Sequence, residues 1–184
     1  MIPAPFKVLL DANVLYPFTL RDTLLRAAAA GLYQAFWSAE ILNEATRNLV
    51  ANGVMAGAQA ERLRAVIERA FPEALVIGYQ PLVDAMPNEP ADRHVTAAAV
   101  KSGAQVIVTS NLKHFQQLPD AIEAQSPDHF LCNLFDLDPD GMLDLLREQA
   151  SALKNPPTSL DALLDALART APDFVVAVRT HPGR

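Results

Sequence analysis

The stretch VLLDANVLYPF, residues 8–18, begins as an apolar run and then places a carboxylate, Asp11, where that run stops. Residues 8–10 have the composition of a buried strand. A charge at the end of a buried strand is costly unless it is paired or holds something. The stretch therefore predicts a strand of the protein core that leads directly into a functional acid.

Four further short segments have a strand-like composition, and helical patterns lie between the strands. The five predicted strands are KVLL (7–10), AFW (35–37), ALVIGY (74–79), QVIVT (105–109) and IEAQ (122–125). The helical patterns cover residues 19–31, 38–53, 58–71 and 91–103, and Ser38 is the expected N-cap of the second. Parallel neighbouring strands need crossover helices. The alternation predicts a three-layer α/β/α sandwich around a parallel sheet of about five strands.

The pattern changes to helices alone after about residue 138. In the segment SLDALLDALART, one helical face carries four leucines: Leu160, Leu163, Leu164 and Leu167. This face predicts core packing, with a partner-binding helix as the alternative. FVVAV (174–178) fits a strand or a helix. We expect a main domain over residues 1–137 and a C-terminal helical extension over 138–184, packed on the same domain.

The hydrophobic content, net charge and single cysteine of the sequence limit the class of protein to which it can belong. The 184 residues are 51% hydrophobic, which is enough for a sizeable core, and the net charge of −6 is unlike that of a strongly basic nucleic-acid-binding domain. A negative total does not exclude a carboxylate-rich metal site that holds a phosphate through a cation. The sequence shows no apolar run long enough to cross a membrane and no signal peptide, and Cys132 has no cysteine to pair with, so we expect a cytoplasmic protein.

Three acids from separate segments are expected at one edge of the sheet. Functional crevices of open parallel sheets lie outside the carboxyl ends of the strands. Asp11 follows the first strand, and Asp92 begins the helix after Pro90. Glu44 lies near the apolar face of the helix that starts at Ser38. Taken singly, Asp11 also fits a turn, Asp92 a helix cap and Glu44 a solvated helix position.

Taken together, the segments LLDANVL, WSAEILNEATRNL and PADRHVTAAAVKSGAQVIVTSNLKHF resemble the PIN-domain family of metal-dependent ribonucleases, especially its VapC-like bacterial branch. The resemblance covers roughly residues 6–137. It implies that Asp11, Glu44 and Asp92 form the acidic core of the site. Family members often have an aspartate at the position of Asn111, so Asn111 is a candidate neutral ligand and Glu89 a candidate compensating acid.

The resemblance also implies a cofactor, a reaction and partners. The cofactor is Mg²⁺ or Mn²⁺, and the reaction is hydrolysis of RNA phosphodiester bonds that leaves a 5′-phosphate and a 3′-hydroxyl. A homodimer, and an antitoxin partner for a toxin of this branch, are further expectations. The candidate substrate-binding residues lie near the motif segments; they are Asn13, Arg47, Arg93, Thr109, Lys113 and His114.

Other readings of the same residues are weaker. A haloacid-dehalogenase-like phosphatase also has an Asp after its first strand, but it needs a second acid two residues later, where this chain has Asn13. A PIN-like binding module, inactive because Asn111 replaces an acid, is the non-enzymatic alternative. Zinc is rejected, because the spacing of His94 and His114 fits no usual zinc site and no cysteine cluster accompanies them.

Overall fold

The computed structural model describes residues 6–184. Within that range the chain forms five strands and nine α-helices. The strands are β1 (Lys7–Leu10), β2 (Gln34–Ser38), β3 (Leu75–Val76), β4 (Val106–Val108) and β5 (Glu123–Gln125). The helices are α1 (Ala12–Leu15), α2 (Phe18–Ala29), α3 (Ala39–Ala51), α4 (Gly57–Ala70), α5 (Arg93–Ser102), α6 (Pro127–Leu137), α7 (Pro139–Ala152), α8 (Leu160–Leu167) and α9 (Pro172–Thr180).

All strand pairs of the sheet are parallel, and the strand order is β3-β2-β1-β4-β5. The central strand β1 pairs with β2 on one side and with β4 on the other. Val8, Leu9 and Leu10 have no exposed surface, as a strand covered on both faces requires. The predicted α/β/α sandwich with five parallel strands is confirmed.

Contacts divide the described residues into two compact units, one over 6–16 and 33–125 and the other over 17–32 and 126–184. The first unit contains the whole sheet with α1, α3, α4 and α5. The second contains α2 and α6 to α9. The domain boundary after residue 137 stays a prediction.

In the first unit, helix ends and small residues set how the helices meet the sheet. The Ser38 side chain accepts a 3.1 Å hydrogen bond from Ile41 N, so it caps α3 as predicted. Helix α5 packs on β1, β2 and β4 through fully buried alanines, Ala97, Ala98 and Ala99. It ends at Gly103, whose φ of 70° lies in the left-handed region that glycine adopts without strain.

The second unit is a helical assembly with its own core. Helix α8 buries three of the four stripe leucines, Leu163, Leu164 and Leu167, so the stripe packs in a core. Thr23 in α2 donates a buried 2.9 Å hydrogen bond to Gln149 in α7. Residues 174–178 are helical as part of α9. Helix α6 is not among the predicted elements, and β3 is shorter than the predicted strand at 74–79.

None of the helices within residues 6–184 has both the length and the apolar character to span a lipid bilayer.

Candidate active site

Asp11 lies at the carboxyl end of β1, beside the end of β4. Its backbone N–H donates to Val108 O at 3.1 Å, which continues the ladder between the two strands. Its carboxylate accepts hydrogen bonds from Ala12 N at 2.7 Å, Asn13 Nδ2 at 2.8 Å and Thr109 Oγ1 at 2.8 Å. The side chain is 4% exposed and fixed by donors on both oxygens.

A network of polar groups ties the ends of β1 and β4 together around this acid. Asn13 Nδ2 also donates to Thr109 Oγ1 at 3.1 Å, and Asn13 Oδ1 accepts from Ser110 N at 2.9 Å. The Thr109 hydroxyl accepts from Asn111 N at 3.1 Å. Asn13 and Thr109, two of the candidate substrate-binding residues, therefore hold Asp11 in its orientation.

The environment of Asp11 favours the protonated form of its carboxyl group. Burial raises the pKa above the ordinary value of 3.8, and the charges of Asp92 and Glu44 raise it further. The hydrogen bonds from Thr109 and Ala12 act in the opposite direction. Both other acids of the expected core thus lie close enough to Asp11 for their charges to repel its own.

Asp92 precedes α5, but its side chain makes no capping hydrogen bond there. Instead, Asp92 Oδ2 lies 2.7 Å from His114 Nδ1, and that nitrogen lies 2.6 Å from Asn111 Nδ2. One ring nitrogen cannot donate to Asp92 and accept from Asn111 at once. Turning the Asn111 amide so that its oxygen faces a protonated Nδ1 satisfies both contacts. Asn111, Asp92 and His114 therefore form one contiguous polar group.

Glu44 is half-buried on α3 and faces His94 of α5. Glu44 Oε2 lies 4.0 Å from His94 Nε2, and Glu40 Oε2 lies 3.7 Å from His94 Nδ1. Tyr79 donates a 3.0 Å hydrogen bond to Glu40. Glu44 thus lies on the α5 side of α3, whereas Glu40 also contacts Tyr79.

The remaining candidates fall into two places. Arg47 is exposed in a groove between α3 and α4 that Asn43, Thr46 and Arg64 also line. A separate polar cavity of about 330 Å³ lies next to Asp92. It is lined by Pro87, Asn88, Glu89, Pro90, Arg93, Lys113, His114, Gln116 and Gln117.

Residues 6–184 contain no group of three or more His, Cys, Asp or Glu side chains arranged so that they could hold a metal ion. The chemistry of the donors nevertheless fits a hard cation, since Asp11, Glu44 and Asp92 offer carboxylate oxygens. Mg²⁺ usually keeps several waters and takes only one or two protein carboxylates. Burial is the main cause that raises the pKa of Asp11, and a bound cation would favour the ionised carboxylate against both burial and the smaller repulsion from Asp92 and Glu44.

Two residues of this region, His94 and Asn88, were not predicted as part of the site; His94 was considered only as a zinc ligand. His94 lies between α5 and the acids Glu40 and Glu44 of α3, a proximity between two helices that helical periodicity alone does not describe. Asn88 is 4% exposed and lines the cavity beside Asp92. No sequence signal marks its burial, because asparagine between two prolines is typical of an exposed turn.

Two regions of the chain match known protein families. The family model described as PIN domain matches residues 7–113, more than half of the chain, and the VapC50 C-terminal domain matches residues 127–180. The chain is 41% identical over 109 residues to a protein of Mycobacterium tuberculosis (strain ATCC 25618 / H37Rv) named "Putative ribonuclease VapC50". That match covers 58% of this chain and 64% of the relative, so the chain spans less than two thirds of the relative's length. No solved structure matches the chain significantly. Because a family model covers more than half of its length, the chain belongs to the PIN domain family.

Proposed function

We propose that this protein is a divalent-metal-dependent ribonuclease, with Asp11, Glu44 and Asp92 as its catalytic acids. The observation that carries the proposal is the state of Asp11, a buried carboxylate whose pKa is raised by burial and by the charges of the two other acids. Such an arrangement costs stability unless a cation neutralises it. A relative named as a ribonuclease supports the reaction.

The expected cofactor is Mg²⁺ or Mn²⁺, held by Asp11, Glu44 and Asp92, with Asn111 and Glu89 as additional candidate ligands. When bound, the cation supplies Lewis-acid stabilisation of phosphate charge and lowers the pKa of water. The chain's own contribution is orientation. Thr109 and Asn13 fix the Asp11 carboxylate, so that its oxygens do not need to reorganise when substrate binds.

His114 has a positioning role toward Asp92 and a binding role toward RNA. Its Nδ1 is occupied by Asp92, so Nε2 is the ring nitrogen through which it would contact a phosphate oxygen. Arg93 and Lys113 line the cavity next to it and would hold the RNA backbone. Arg47 would make a more distant backbone contact from the groove beside α4. Contacts of this kind position the substrate without reading its sequence.

The proposal extends to partners and to cellular setting. A relative named VapC50 supports a role as the toxin of a toxin–antitoxin pair. The antitoxin would be a small protein encoded beside this one, and the chain itself would form a homodimer in the cytoplasm. Co-expression with the product of the adjacent reading frame, followed by co-purification and sedimentation, tests both assemblies.

The experiment for the reaction compares wild type with Asp11→Asn on a mixed single-stranded RNA pool. Both proteins are stripped with EDTA and assayed with and without Mn²⁺. We expect cleavage by wild type only with Mn²⁺ and no cleavage by Asp11→Asn. Asp120→Asn is the matched control, because Asp120 is exposed near the amino ends of β4 and β5, at the opposite edge of the sheet. If wild type binds RNA but does not cleave it, the protein is an inactive binding module and the nuclease proposal is wrong.

A further inference from the structure

The cavity beside Asp92 is a built polar pocket. Two segments, residues 87–93 and 113–117, form its walls. Glu89 N donates to His114 O at 3.3 Å, and the Asp92 carboxylate contacts His114 Nδ1, so the two segments are joined at the catalytic end of the pocket. Its volume of about 330 Å³ lies at the lower end of the range of small-molecule sites.

Asn88 in this wall has an unusual side chain. Asn88 is 4% exposed, and neither Nδ2 nor Oδ1 of its side chain has a hydrogen-bond partner among residues 6–184. Its backbone is fixed, because Arg93 Nε donates to Asn88 O at 3.1 Å. A buried amide whose donor and acceptor are both unpaired is destabilising, so a group that pairs with both would be favoured here.

A group that pairs with the whole Asn88 amide must offer both a donor and an acceptor. A phosphate group offers acceptor oxygens, so it would satisfy Nδ2 and leave Oδ1 without a partner. The edge of a nucleobase presents a donor beside an acceptor, and side-chain amides of Asn and Gln read base edges in this way. Two further amides, Gln116 and Gln117, are exposed at the same pocket.

The charges around the pocket fit a nucleotide of a single strand. Arg93 and Lys113 are positive and would hold the phosphate that belongs to the base. Glu89 is negative and exposed, and it can accept from an exocyclic amino group of a base. Unstacked bases of single-stranded RNA are commonly recognised in such pockets through their hydrogen-bonding edges.

We propose that this pocket binds one nucleobase of the RNA strand next to the scissile phosphate, and that the Asn88 side chain determines which base is accepted. The proposal rests on the proposed nuclease function, which it deepens. Because the amide is covered in the absence of RNA, entry of the base is accompanied by rotation of Asn88 toward the pocket. The unpartnered donor and acceptor favour that rotation.

The test measures binding and does not depend on cleavage. The Asp11→Asn protein is added to each of four fluorescently labelled RNA hexamers, and binding is followed by fluorescence anisotropy. In each hexamer uracil occupies every second position, and the positions between are all adenine, all cytosine, all guanine or all uracil. We expect one of them to bind about fivefold or more tightly than the weakest, as one amide–base contact provides. Adding Asn88→Ala should remove this discrimination, whereas adding Lys113→Ala should weaken all four by a similar factor.

Gln105→Ala is the matched control, since Gln105 is exposed before β4 at the opposite edge of the sheet and should leave discrimination unchanged. Equal affinity for all four oligonucleotides, or discrimination that survives Asn88→Ala, would overturn the proposal. Melting of each variant is recorded, because a merely structural role would lower stability without changing the affinity ratio. If wild type fails to cleave RNA while discrimination depends on Asn88, the nuclease proposal fails and the base pocket stands.

Discussion

The Thr109 hydroxyl donates a 2.8 Å hydrogen bond to the Asp11 carboxylate across 98 positions of the chain. The contact exists because β1 and β4 are parallel neighbours that end at the same edge of the sheet. The same hydroxyl accepts from Asn13 and from Asn111 N. Strand register therefore determines the orientation of the acid that we place at the centre of the reaction.

Removing the Thr109 hydroxyl should destabilise the protein and release one hydrogen bond that orients the Asp11 carboxylate. Thr109 has no exposed surface, and a hydrogen bond to a charged group contributes about 1.5–3 kcal/mol. We expect Thr109→Val to lower the free energy of unfolding by about that amount, because the shape is kept and the donor is lost. Thr109→Ser keeps the hydroxyl and should cost less. Urea unfolding of the three proteins measures the difference; an equal loss for Ser and Val would show that the hydrogen bond is unimportant.

Without metal, Asp11 should make the protein less stable as pH rises. Burial is the largest effect on Asp11; with a smaller contribution from the charges of Asp92 and Glu44, it outweighs the hydrogen bonds from Thr109 and Ala12 and raises the pKa in the folded state above 3.8. Between the ordinary and the raised pKa the folded state binds more protons than the unfolded state, so this contribution to stability is present below 3.8 and lost as pH rises through the raised pKa.

The measurement is urea unfolding in EDTA, from about pH 4 to about pH 8, for wild type and Asp11→Asn. Subtracting the free energy of unfolding of Asp11→Asn, which cannot titrate at this position, isolates the Asp11 contribution. We expect the free energy of unfolding of wild type to fall relative to that of Asp11→Asn as pH increases. A difference that moves in favour of wild type over this range would mean that the hydrogen bonds from Thr109 and Ala12 outweigh burial and repulsion.

Asn111 should tune metal affinity through its place beside His114 and Asp92. We expect Asn111→Asp to tighten Mn²⁺ binding, since a fourth carboxylate adds attraction for the cation. Asn111→Ala should weaken binding only modestly. Calorimetric titration with Mn²⁺ gives both values, and Asn133→Asp adds the same charge at an exposed position of α6 as a control. Unchanged affinity in both Asn111 variants would remove this residue from the site.

The leucine stripe of α8 should contribute to stability through core packing. Leu164 has no exposed surface, and truncating such a side chain costs about 2–5 kcal/mol. Leu160 is only partly buried, so Leu160→Ala should lower the free energy of unfolding by less than Leu164→Ala does. Thermal unfolding of the two variants compares them. If Leu164→Ala and wild type have the same melting temperature, the leucine stripe does not act through core packing and the partner-binding interpretation is favoured.

The sheet could be predicted from sequence because its central strands are short apolar runs with no competing pattern. Residues 8–10 and 106–108 are apolar at every position, and such runs next to helical segments fit few folds other than a parallel sheet. The third strand was predicted too long because Ile77 and Tyr79 are also apolar or aromatic, although only Leu75–Val76 pair with β2. Composition indicates burial more reliably than it indicates pairing.

The site could be predicted only in part, for a related reason. Positions of acids relative to strand and helix ends follow from the pattern, and the charges of Glu44 and Asp92 do act on Asp11. The partners of each acid depend on rotamers and on loop paths. The contact between Asp92 and His114 joins residues 22 positions apart through two loops, which periodicity does not describe. The burial of the Asn88 side chain could not be predicted either, because it also depends on the path of a loop.

The most direct test of the central claim is a comparison of single-turnover RNA cleavage rates in Mn²⁺ for Asp11→Asn, Glu44→Gln, Asp92→Asn and their three double combinations. Groups that act as one unit show strongly non-additive losses. We expect the cleavage rate of each single variant to fall about a hundredfold or more, and each double variant to be hardly slower than the slower of its two parents. Cleavage near the wild-type rate by any single variant, or losses that multiply in the double variants, would contradict a shared site built from these three acids.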